Sequence, residues 1–450
     1  MKRLSVLVLL SVVAGCGDVP TSTVATEGEV PLSRSIVDGA SASILLLEDG
    51  ATESDVAAAV EAAGGTLSAY FPFGVAVASG GDLGSIDGVQ SATVDVGYEV
   101  SLPDPMGEPV GQDYGYPPTS GDDDFFFDLQ WGHNYVGAQE AWSAGIRGQG
   151  VRVAVLDGGF DLDHPDIAPN LNLALSADFT GEGLQFAIPS TFSHATHVSG
   201  TILAADNGFG IIGVAPEAEL VAVKVLSDNG SGSFANIIAG IYHASAVDAD
   251  VMNLSLGTII PRTAAPTDIS ALAVAVGRAV LYAKQNGTLV IVSAGNAAAD
   301  LDGDGDNVRF LTGMPGTTGI SALTPLNWAS NPNQDLVPAS YTNYGTSMVD
   351  FSAPGGSVDY PGNEGCVVAG LARPCWVFDL VFSTGNNGWY WSGGTSMAAP
   401  HAAGVAALII SENGGEMAPA AVEREMRLRV TRMANGKTDY FGFGLVNSGY

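Results

Sequence analysis

Basic residues are scarce in this chain of 450 residues. It carries 16 Lys and Arg against 48 Asp and Glu, a formal net charge of −32, and no Lys or Arg occurs between Arg34 and Arg147. Nucleic-acid binding needs a basic surface that neutralises phosphates, and electrostatic attachment to anionic lipid needs basic clusters. The composition therefore argues against both, and the acidic charge is typical of solubility outside the cell.

Cysteine is rarer still, with three residues in the whole chain: Cys16, Cys366 and Cys375. Cys16 belongs to an amino-terminal motif of its own. Cys366 and Cys375 enclose a loop that contains Gly and Pro, CVVAGLARPC. We expect a disulfide between them if the chain is exported, and two buried free thiols are the alternative.

No segment beyond the amino terminus has the length and hydrophobicity of a membrane span. Lys2 and Arg3 precede the apolar run 4–14, which is too short to span a membrane and is typical of a signal peptide over residues 1–15. The run ends in VVAGC and resembles the lipobox of bacterial lipoproteins, which implies lipidation of Cys16. Secretory cleavage near this point is the alternative, and both predict export.

Changes in composition divide the rest of the chain. Residues 16–41 are rich in Ser, Thr, Gly and Pro and are predicted to be a flexible tether. Residues 42–100 show the order β-α-β-β-α-β of a small ferredoxin-like α+β domain. Residues 101–124 are rich in Pro, Gly and Asp and are predicted to be a linker.

Residues 125–450 alternate short β-branched runs with helical patterns. Buried parallel strands are continuous apolar runs of this kind, so we predict a doubly wound, mostly parallel α/β domain. The predicted strands are Val151–Leu156, Leu220–Val225, Val251–Leu254 and Thr288–Val292, and the predicted helices are Ala235–Val247, Ile269–Gln285 and Ala398–Ile410.

Three polar residues stand where such a sheet places reacting groups. Asp157 follows a predicted strand in VLDGGFDLDHPD, His194 lies in SHATHVSG before an apolar helical stretch, and Ser396 lies in GTSMAAPH at a helix start. Singly, each has a structural explanation as a turn residue, a core histidine or a helix cap. Their order along the chain is Asp, then His, then Ser.

These blocks, with DVMNLSLG, VSAGN and ASYTNYG between them, resemble the subtilase family of serine proteases over nearly all of residues 125–450. The resemblance implies an endopeptidase that acts on polypeptides through an acyl-enzyme and needs no cofactor for its chemistry. His194 would be the general base for Ser396, and Asp157 would orient the imidazole. The remaining histidines are predicted to be structural: His133, His164, His197, His243 and His401.

The resemblance also implies binding residues. Asn296 in VSAGN would donate its amide to the oxyanion, together with the backbone N–H of Ser396. Ser255, Leu256 and Gly257 resemble the edge segment that pairs with an extended substrate. Thr258 stands where many relatives have a second Gly and would narrow the specificity pocket.

Two features depart from the family pattern. Ala195 replaces the Gly that usually follows the catalytic His, which is tolerated if residue 195 is helical and strained if it needs a positive φ. We expect a helical residue. After Asn296 an acidic insertion matches the first half of a calcium loop at Asp300, Asp302 and Asp304, whereas Leu311 stands at the closing Glu position. The sequence leaves two alternatives for this loop: it binds calcium, or it is a solvated loop without a ligand.

Residues 42–100 resemble the inhibitory propeptides of the same family, and an ordinary accessory domain is the alternative. The propeptide would be a partner in cis, and the lipid would be a partner at the membrane. Because the lipid would lie upstream, cleavage in the linker would both activate the enzyme and free it from the membrane. Two other functions remain: an inactive binding scaffold of the cell envelope, and an esterase.

Overall fold

The computed structural model describes residues 33–34, 36–37, 40–99, 122–189, 192–261, 269–302, 307–433 and 436–450. The predicted signal peptide, Cys16, most of the tether and most of the linker lie outside these residues. Among the described residues, no helix combines the length and apolar character that a membrane crossing requires.

The strands, in chain order, are β1 Ser33–Arg34, β2 Ile36–Val37, β3 Ala40–Leu47, β4 Gly65–Phe71, β5 Val75–Gly80, β6 Val89–Val94, β7 Val96–Glu99, β8 Arg152–Asp157, β9 Ala177–Asp178, β10 Glu219–Lys224, β11 Ser231–Ser233, β12 Val251–Leu254, β13 Thr258–Pro261, β14 Leu289–Ser293, β15 Asn307–Phe310, β16 Thr317–Thr324, β17 Val337–Pro338, β18 Phe351–Pro354, β19 Gly365–Val368, β20 Leu371–Pro374, β21 Val381–Gly385 and β22 Gly388–Ser392.

The helices are α1 Glu53–Ala62, α2 Gly132–Tyr135, α3 Ala138–Ser143, α4 His194–Leu203, α5 Phe234–Ala246, α6 Ile269–Gln285, α7 Thr395–Glu412 and α8 Pro419–Arg429. Single 3₁₀ turns occur at Leu83–Ser85, Phe127–Leu129, Ala168–Asn170 and Cys375–Asp379.

The amino-terminal unit is an antiparallel sheet with the spatial order β6-β3-β5-β4. This order is the one expected for the predicted ferredoxin-like arrangement, although its second helix is only the 3₁₀ turn Leu83–Ser85. Thr52 caps α1 by accepting a hydrogen bond from Asp55 N, which satisfies one of the free N–H groups of the first turn. Val56 and Val60 of α1 are fully buried against the sheet.

The large sheet has the order β17-β16-β14-β12-β8-β10-β9, with β18 also paired to β16. Its described pairs are parallel except β16 with β17, which confirms the predicted mostly parallel α/β fold. Parallel neighbours end at one edge of a sheet, so the segments that follow β8, β12 and β14 lie side by side.

Side chains of β8 alternate between the two faces of this sheet. Val153 and Val155 pack into the layer that contains α4 and α7, whereas Ala154 and Leu156 pack into the layer that contains α5 and α6. Both layers are closed to water, which explains the continuous apolar strands of the sequence.

The boundary between the linker and the large domain differs from the prediction. Asp124, predicted as the last linker residue, is fully buried and its Oδ1 accepts hydrogen bonds from Asn207 N and Phe209 N. Burial raises the pKa of Asp124 to about 8. Composition alone placed Asp124 with its acidic neighbours, because burial of one carboxylate in a run of three cannot be seen in sequence.

Close packing beside α4 makes Gly213 a sensitive position. A Cβ on Gly213 would lie 2.4 Å from the backbone N atoms of Leu203 and Ala204, which cannot move without disturbing α4. Gly277 in α6 is the matched control, since a Cβ there meets nothing within 4 Å.

We expect Gly213→Ala to lower the free energy of unfolding by about 1–3 kcal/mol through overpacking. Gly277→Ala should raise it by about 0.5–1 kcal/mol, because Ala favours a helix over Gly. Urea unfolding in a Ser396→Ala background, which removes the predicted nucleophile, measures both. Equal effects of the two substitutions would contradict the packing argument.

Candidate active site

Asp157 and His194 form a buried pair at the carboxyl edge of the sheet. Asp157 is the last residue of β8, and His194 is the first residue of α4, whose cap Ser193 accepts a hydrogen bond from Thr196 N. His194 Nδ1 lies 2.9 Å from both carboxylate oxygens of Asp157. Since a carboxylate accepts, Nδ1 carries the proton, and Nε2 is left with its lone pair.

Ser396 is the second residue of α7, within the first turn, where helical N–H groups have no carbonyl partner in the helix. Its Oγ donates to Ser255 O at 3.2 Å, while Ser255 Oγ donates to Ser396 O at 2.9 Å. Among the described residues, His194 Nε2 is buried and has no hydrogen-bond partner. The structure therefore packs α4 against α7 without a bond between His194 and Ser396.

Asn296 follows β14 and is held by the residue before the serine. Its Oδ1 accepts hydrogen bonds from Thr395 N at 2.9 Å and from Thr395 Oγ1 at 2.8 Å. An amide nitrogen cannot accept a hydrogen bond from these two donors. The Asn296 oxygen Oδ1, and not Nδ2, must therefore face α7. The Nδ2 group therefore remains as the donor of this side chain.

The segment of Ser255, Leu256 and Gly257 directly follows β12. In the sheet, β12 is the strand next to β8. Leu256 is buried in the core, so this segment can offer only its backbone to a neighbouring chain. A Cβ on Gly257 would come within 3.2 Å of Phe310 O, which shows how tightly the segment borders β15. Thr258 begins β13 and pairs with Phe310.

A small pocket of about 20 Å³ lies between the segment after β12 and the segment after β14. It is lined by Gly257 and Ile259 on the side of the first segment and by Ser293, Ala294 and Gly295 on the side of the second. Four more residues complete the lining: Leu301, Arg309, Phe310 and Thr312. The sequence prediction assigned none of these four residues to a site.

Two further residues were missed although their motifs were recognised. Thr395 orients Asn296 and also accepts from Gly295 N through Oγ1. Asn343, in the ASYTNYG block, accepts from Ala297 N and Ala299 N and donates to Ala294 O. Thr395 lies in the motif GTSMAAPH and Asn343 lies in ASYTNYG. Their positions in these motifs were the sequence signal that could have identified them.

Ala195 is the second residue of α4 and lies outside the residues of positive φ. The expectation that residue 195 is helical is confirmed, and the departure from the family pattern carries no backbone strain. Ser199, one turn later, donates to Ala195 O at 2.8 Å.

The acidic loop after Asn296 is tied to a neighbouring turn. Asp302 accepts four hydrogen bonds, from the backbone and hydroxyl groups of Thr346 and Ser347. The Ser347 hydroxyl, with the other donors, holds the pKa of Asp302 below its ordinary value. Asp302 does not fit the role of a calcium ligand, because each of its carboxylate oxygens already accepts two hydrogen bonds from the protein.

The other two predicted calcium ligands, Asp300 and Asp304, give the calcium site no further support. Asp300 Oδ1 accepts from Asp302 N, and Asp304 lies outside the described residues. Calcium binding by this loop therefore stays a prediction without support from Asp302.

The remaining histidines each reach a backbone carbonyl. His197 Nε2 donates to Tyr390 O at 3.2 Å and His164 Nε2 donates to Gly388 O at 3.2 Å. Burial lowers the pKa of His197 to about 3 and that of His164 to about 4, so both are neutral at pH 7. His133, His243 and His401 make similar bonds, to Ile212 O, Leu175 O and Met397 O.

Cys366 of β19 and Cys375, directly after β20, form a disulfide across this two-stranded hairpin. Cys375 is fully buried, and Cys366 packs against the aromatic layer that contains Phe378 and Trp391. The bridge supports this layer and does not contact the pocket.

A family model described as "Subtilase family" matches residues 148–444, which is more than half of the chain. The chain belongs to the subtilase family. This subtilase is 34% identical over 321 residues to Subtilisin NAT of Bacillus subtilis subsp. natto, covering 71% of this chain and 70% of that protein. It is 33% identical over 325 residues to a thermostable alkaline protease of Halalkalibacterium halodurans, covering 71% of this chain and 73% of that protein.

Solved structures agree on the fold of this subtilase. The epidermin leader peptide processing serine protease of Staphylococcus aureus superposes with a TM-score of 0.69 at 18% identity, over 91% of this chain and 96% of that chain. A lanthipeptide protease superposes with a TM-score of 0.59 at 26% identity, over 72% of this chain and 94% of that chain. The protein is thus a subtilisin-like serine endopeptidase, and such enzymes need no cofactor for catalysis.

The contacts of Thr395 predict a positioning role. We expect Thr395→Val to lower kcat roughly ten-fold with KM nearly unchanged, because Asn296 loses one of its two orienting donors. Asn296→Ala should lower kcat by about 100- to 1000-fold. Steady-state kinetics on a peptide substrate measures both.

The double variant distinguishes this role from a general structural one. If Thr395 acts through Asn296, adding Thr395→Val to Asn296→Ala should cause little further loss. Thr395→Ser, which keeps the hydroxyl, should retain most of the activity. Independent, multiplying losses in the double variant would refute the proposed link.

Proposed function

We propose that this protein is an exported endopeptidase that uses Ser396, His194 and Asp157 as its catalytic triad and is made as a self-processed precursor. The observation that carries the proposal is the buried pair of Asp157 and His194. It leaves Nε2 as the basic atom of the ring, on a helix that packs against the helix carrying Ser396.

The chemistry follows from these positions. The Ser396 hydroxyl is a weak nucleophile at neutral pH, and turning it from Ser255 O toward His194 Nε2 would give it a base. His194 would take the proton as Ser396 attacks the peptide carbonyl, and would return it to the leaving amine. Asp157 would stabilise the imidazolium that forms between these steps.

The negative charge that develops on the carbonyl oxygen needs donors already in place. Asn296 Nδ2 and the backbone N–H of Ser396 are the groups we assign to it. Neither has to move far, because Asn296 is anchored to Thr395, next to Ser396 in the chain.

The amino-terminal unit is docked in a way that supports self-inhibition. Its last strand, β7, pairs antiparallel with β11, so that Tyr98 lies opposite Gly232. The Tyr98 ring packs against Phe234 with centroids 5.1 Å apart, and Phe234 packs against Phe310 at 4.3 Å. Because Phe310 also lines the pocket, two ring contacts link Tyr98 to the pocket.

Docking is reinforced away from the cleft. Arg278 of α6 donates to Gly74 O at 2.6 Å, and Asp95 accepts from Ala235 N at the start of α5. A carboxylate at a helix start is favourable, since N–H groups there lack partners. These contacts support a propeptide that must be cut from the peptidase before substrates enter.

Labelling tests the catalytic assignment. Once the linker has been cut, a serine-reactive phosphonate should modify Ser396 in the native chain and leave Ser396→Ala unmodified. Asp157→Asn should keep the fold and lower kcat by roughly 10⁴-fold, because the imidazole loses its correct tautomer. A folded, processed chain that does not label would instead be an inactive scaffold, and one that cleaves esters but no peptide would be an esterase.

Processing and location are tested together. We expect the native chain to appear first in the membrane fraction, through lipidated Cys16, and then as a soluble fragment cut within residues 101–124. Ser396→Ala should remain full-length and membrane-bound. Amino-terminal sequencing of each fragment identifies the cut. A native fragment that is cut in the linker yet stays with the membrane contradicts release, and cutting of Ser396→Ala at the same rate contradicts self-processing.

A further inference from the structure

A buried asparagine is hydrogen-bonded to the main chain on both sides of Asn296. Asn343 is fully buried, and its Nδ2 donates to Ala294 O at 2.9 Å. Its Oδ1 accepts from Ala297 N at 2.9 Å and from Ala299 N at 3.0 Å. Both polar atoms of this amide therefore bind backbone groups of one short segment, and Asn296 lies within that segment.

The main chain around Asn343 adds to these bonds. Asn343 N donates to Gly295 O at 2.9 Å, and Ala298 N donates to Tyr341 O at 2.8 Å. The partners of the Asn343 side chain lie 44 to 49 positions away from it in the sequence. The segment that carries Asn296 is therefore held by a distant part of the chain.

This segment has a conformation that its sequence does not favour. Ala298 has a φ of 51° and Gly295 has a φ of 95°, both in the left-handed region. Glycine adopts such angles freely, whereas an alanine there costs about 1–2 kcal/mol. Such a residue persists only where the surrounding structure holds it, and Asn343 binds the N–H groups of Ala297 and Ala299 on either side of it.

The direction of the Asn296 amide depends on this turn. Thr395 holds Asn296 Oδ1 from the side of α7, whereas Asn343 holds the main chain before and after Asn296. With both ends of the residue fixed, Nδ2 has one position. A hydrogen bond weakens steeply with misalignment, so a small rotation of Asn296 would weaken the bond that Nδ2 donates.

We propose that Asn343 is a positioning residue for the reaction, which holds Asn296 so that Nδ2 meets the negatively charged oxygen of the transition state. This role rests on the proposed function, in which Asn296 is an oxyanion donor. A donor that is already in place stabilises a developing charge without the cost of turning toward it. Asn343 therefore acts on kcat and leaves KM nearly unchanged.

An ordinary contribution to folding is the alternative, and a matched asparagine provides the control. Asn170 Nδ2 also donates to two backbone carbonyls of distant segments, Leu203 O at 2.8 Å and Pro216 O at 2.7 Å. Leu203 is the last residue of α4, at the opposite end of that helix from His194. Asn170→Ala should therefore lower the melting temperature and leave kcat unchanged.

The test uses purified full-length protein whose linker has been cut, by immobilised native enzyme where a variant is slow. Active enzyme is counted by phosphonate titration, and kcat and KM are measured on a peptide p-nitroanilide. We expect Asn343→Ala to lower kcat by roughly 10- to 100-fold, with KM changed less than about two-fold. This loss is smaller than that of Asn296→Ala, because a misplaced donor is weakened and not removed.

Two inhibitors separate positioning from general damage to the cleft. With a peptide aldehyde, the Ser396 oxygen bonds to the carbonyl carbon, the hydroxyl proton passes to His194, and the former carbonyl oxygen takes the negative charge. The matching peptide alcohol binds without forming this bond. Asn343→Ala should raise the inhibition constant of the aldehyde by about the factor by which it lowers kcat, and leave that of the alcohol unchanged.

A second variant keeps the shape of the side chain in case Asn343→Ala does not fold. Asn343→Asp retains an acceptor for Ala297 N and Ala299 N, and its neutral acid can still donate to Ala294 O. The ionised carboxylate cannot donate, so kcat relative to the native enzyme at the same pH should fall as the pH rises and the acid loses its proton. A kcat that matches the native value at pH 10 contradicts the role of the Ala294 contact.

The double variant separates this role from the oxyanion assignment on which it rests. If Asn343 acts through Asn296, adding Asn343→Ala to Asn296→Ala should reduce kcat further by no more than about two- to three-fold. Native kcat in Asn343→Ala, or losses that multiply in the double variant, overturns the positioning role and leaves the oxyanion assignment standing. Native kcat in Asn296→Ala overturns both.

Discussion

The hydrogen bonds that tie the first turn of α7 to two strand ends determine the geometry of the cleft. Ser396 is held by Ser255 after β12, and Thr395 is held by Asn296 after β14. These strands are parallel neighbours in the sheet, so their ends cannot separate. α7 itself is buried along nearly its whole length, which prevents the serine from drifting relative to Asn296.

Backbone pairing joins the amino-terminal unit to the large domain. β7 adds to the edge strand β11 through main-chain hydrogen bonds, a mode that places few demands on side chains.

Acidic residues act in this protein according to what surrounds each of them. Asp157 orients a histidine, Asp124 is buried against backbone N–H groups, and Asp302 joins an inserted loop to the turn at Thr346 and Ser347. A calcium motif and a loop anchor look alike in sequence, since both present carboxylates at short spacing. Only the donors that meet Asp302 distinguish the two functions.

The sequence alone determined the parallel α/β fold, because continuous apolar strands and periodic helices are local patterns, and it located Asp157, His194, Asn296 and Ser396 through their motifs. It could not show that Thr395 orients Asn296, that Asp124 is buried or that Arg309 reaches the pocket. Those facts depend on contacts between segments far apart in the chain: Arg309 faces Ile259, 50 positions earlier, only because β15 pairs with β13. Long-range register of this kind follows from how the whole core packs, which no local window of residues contains.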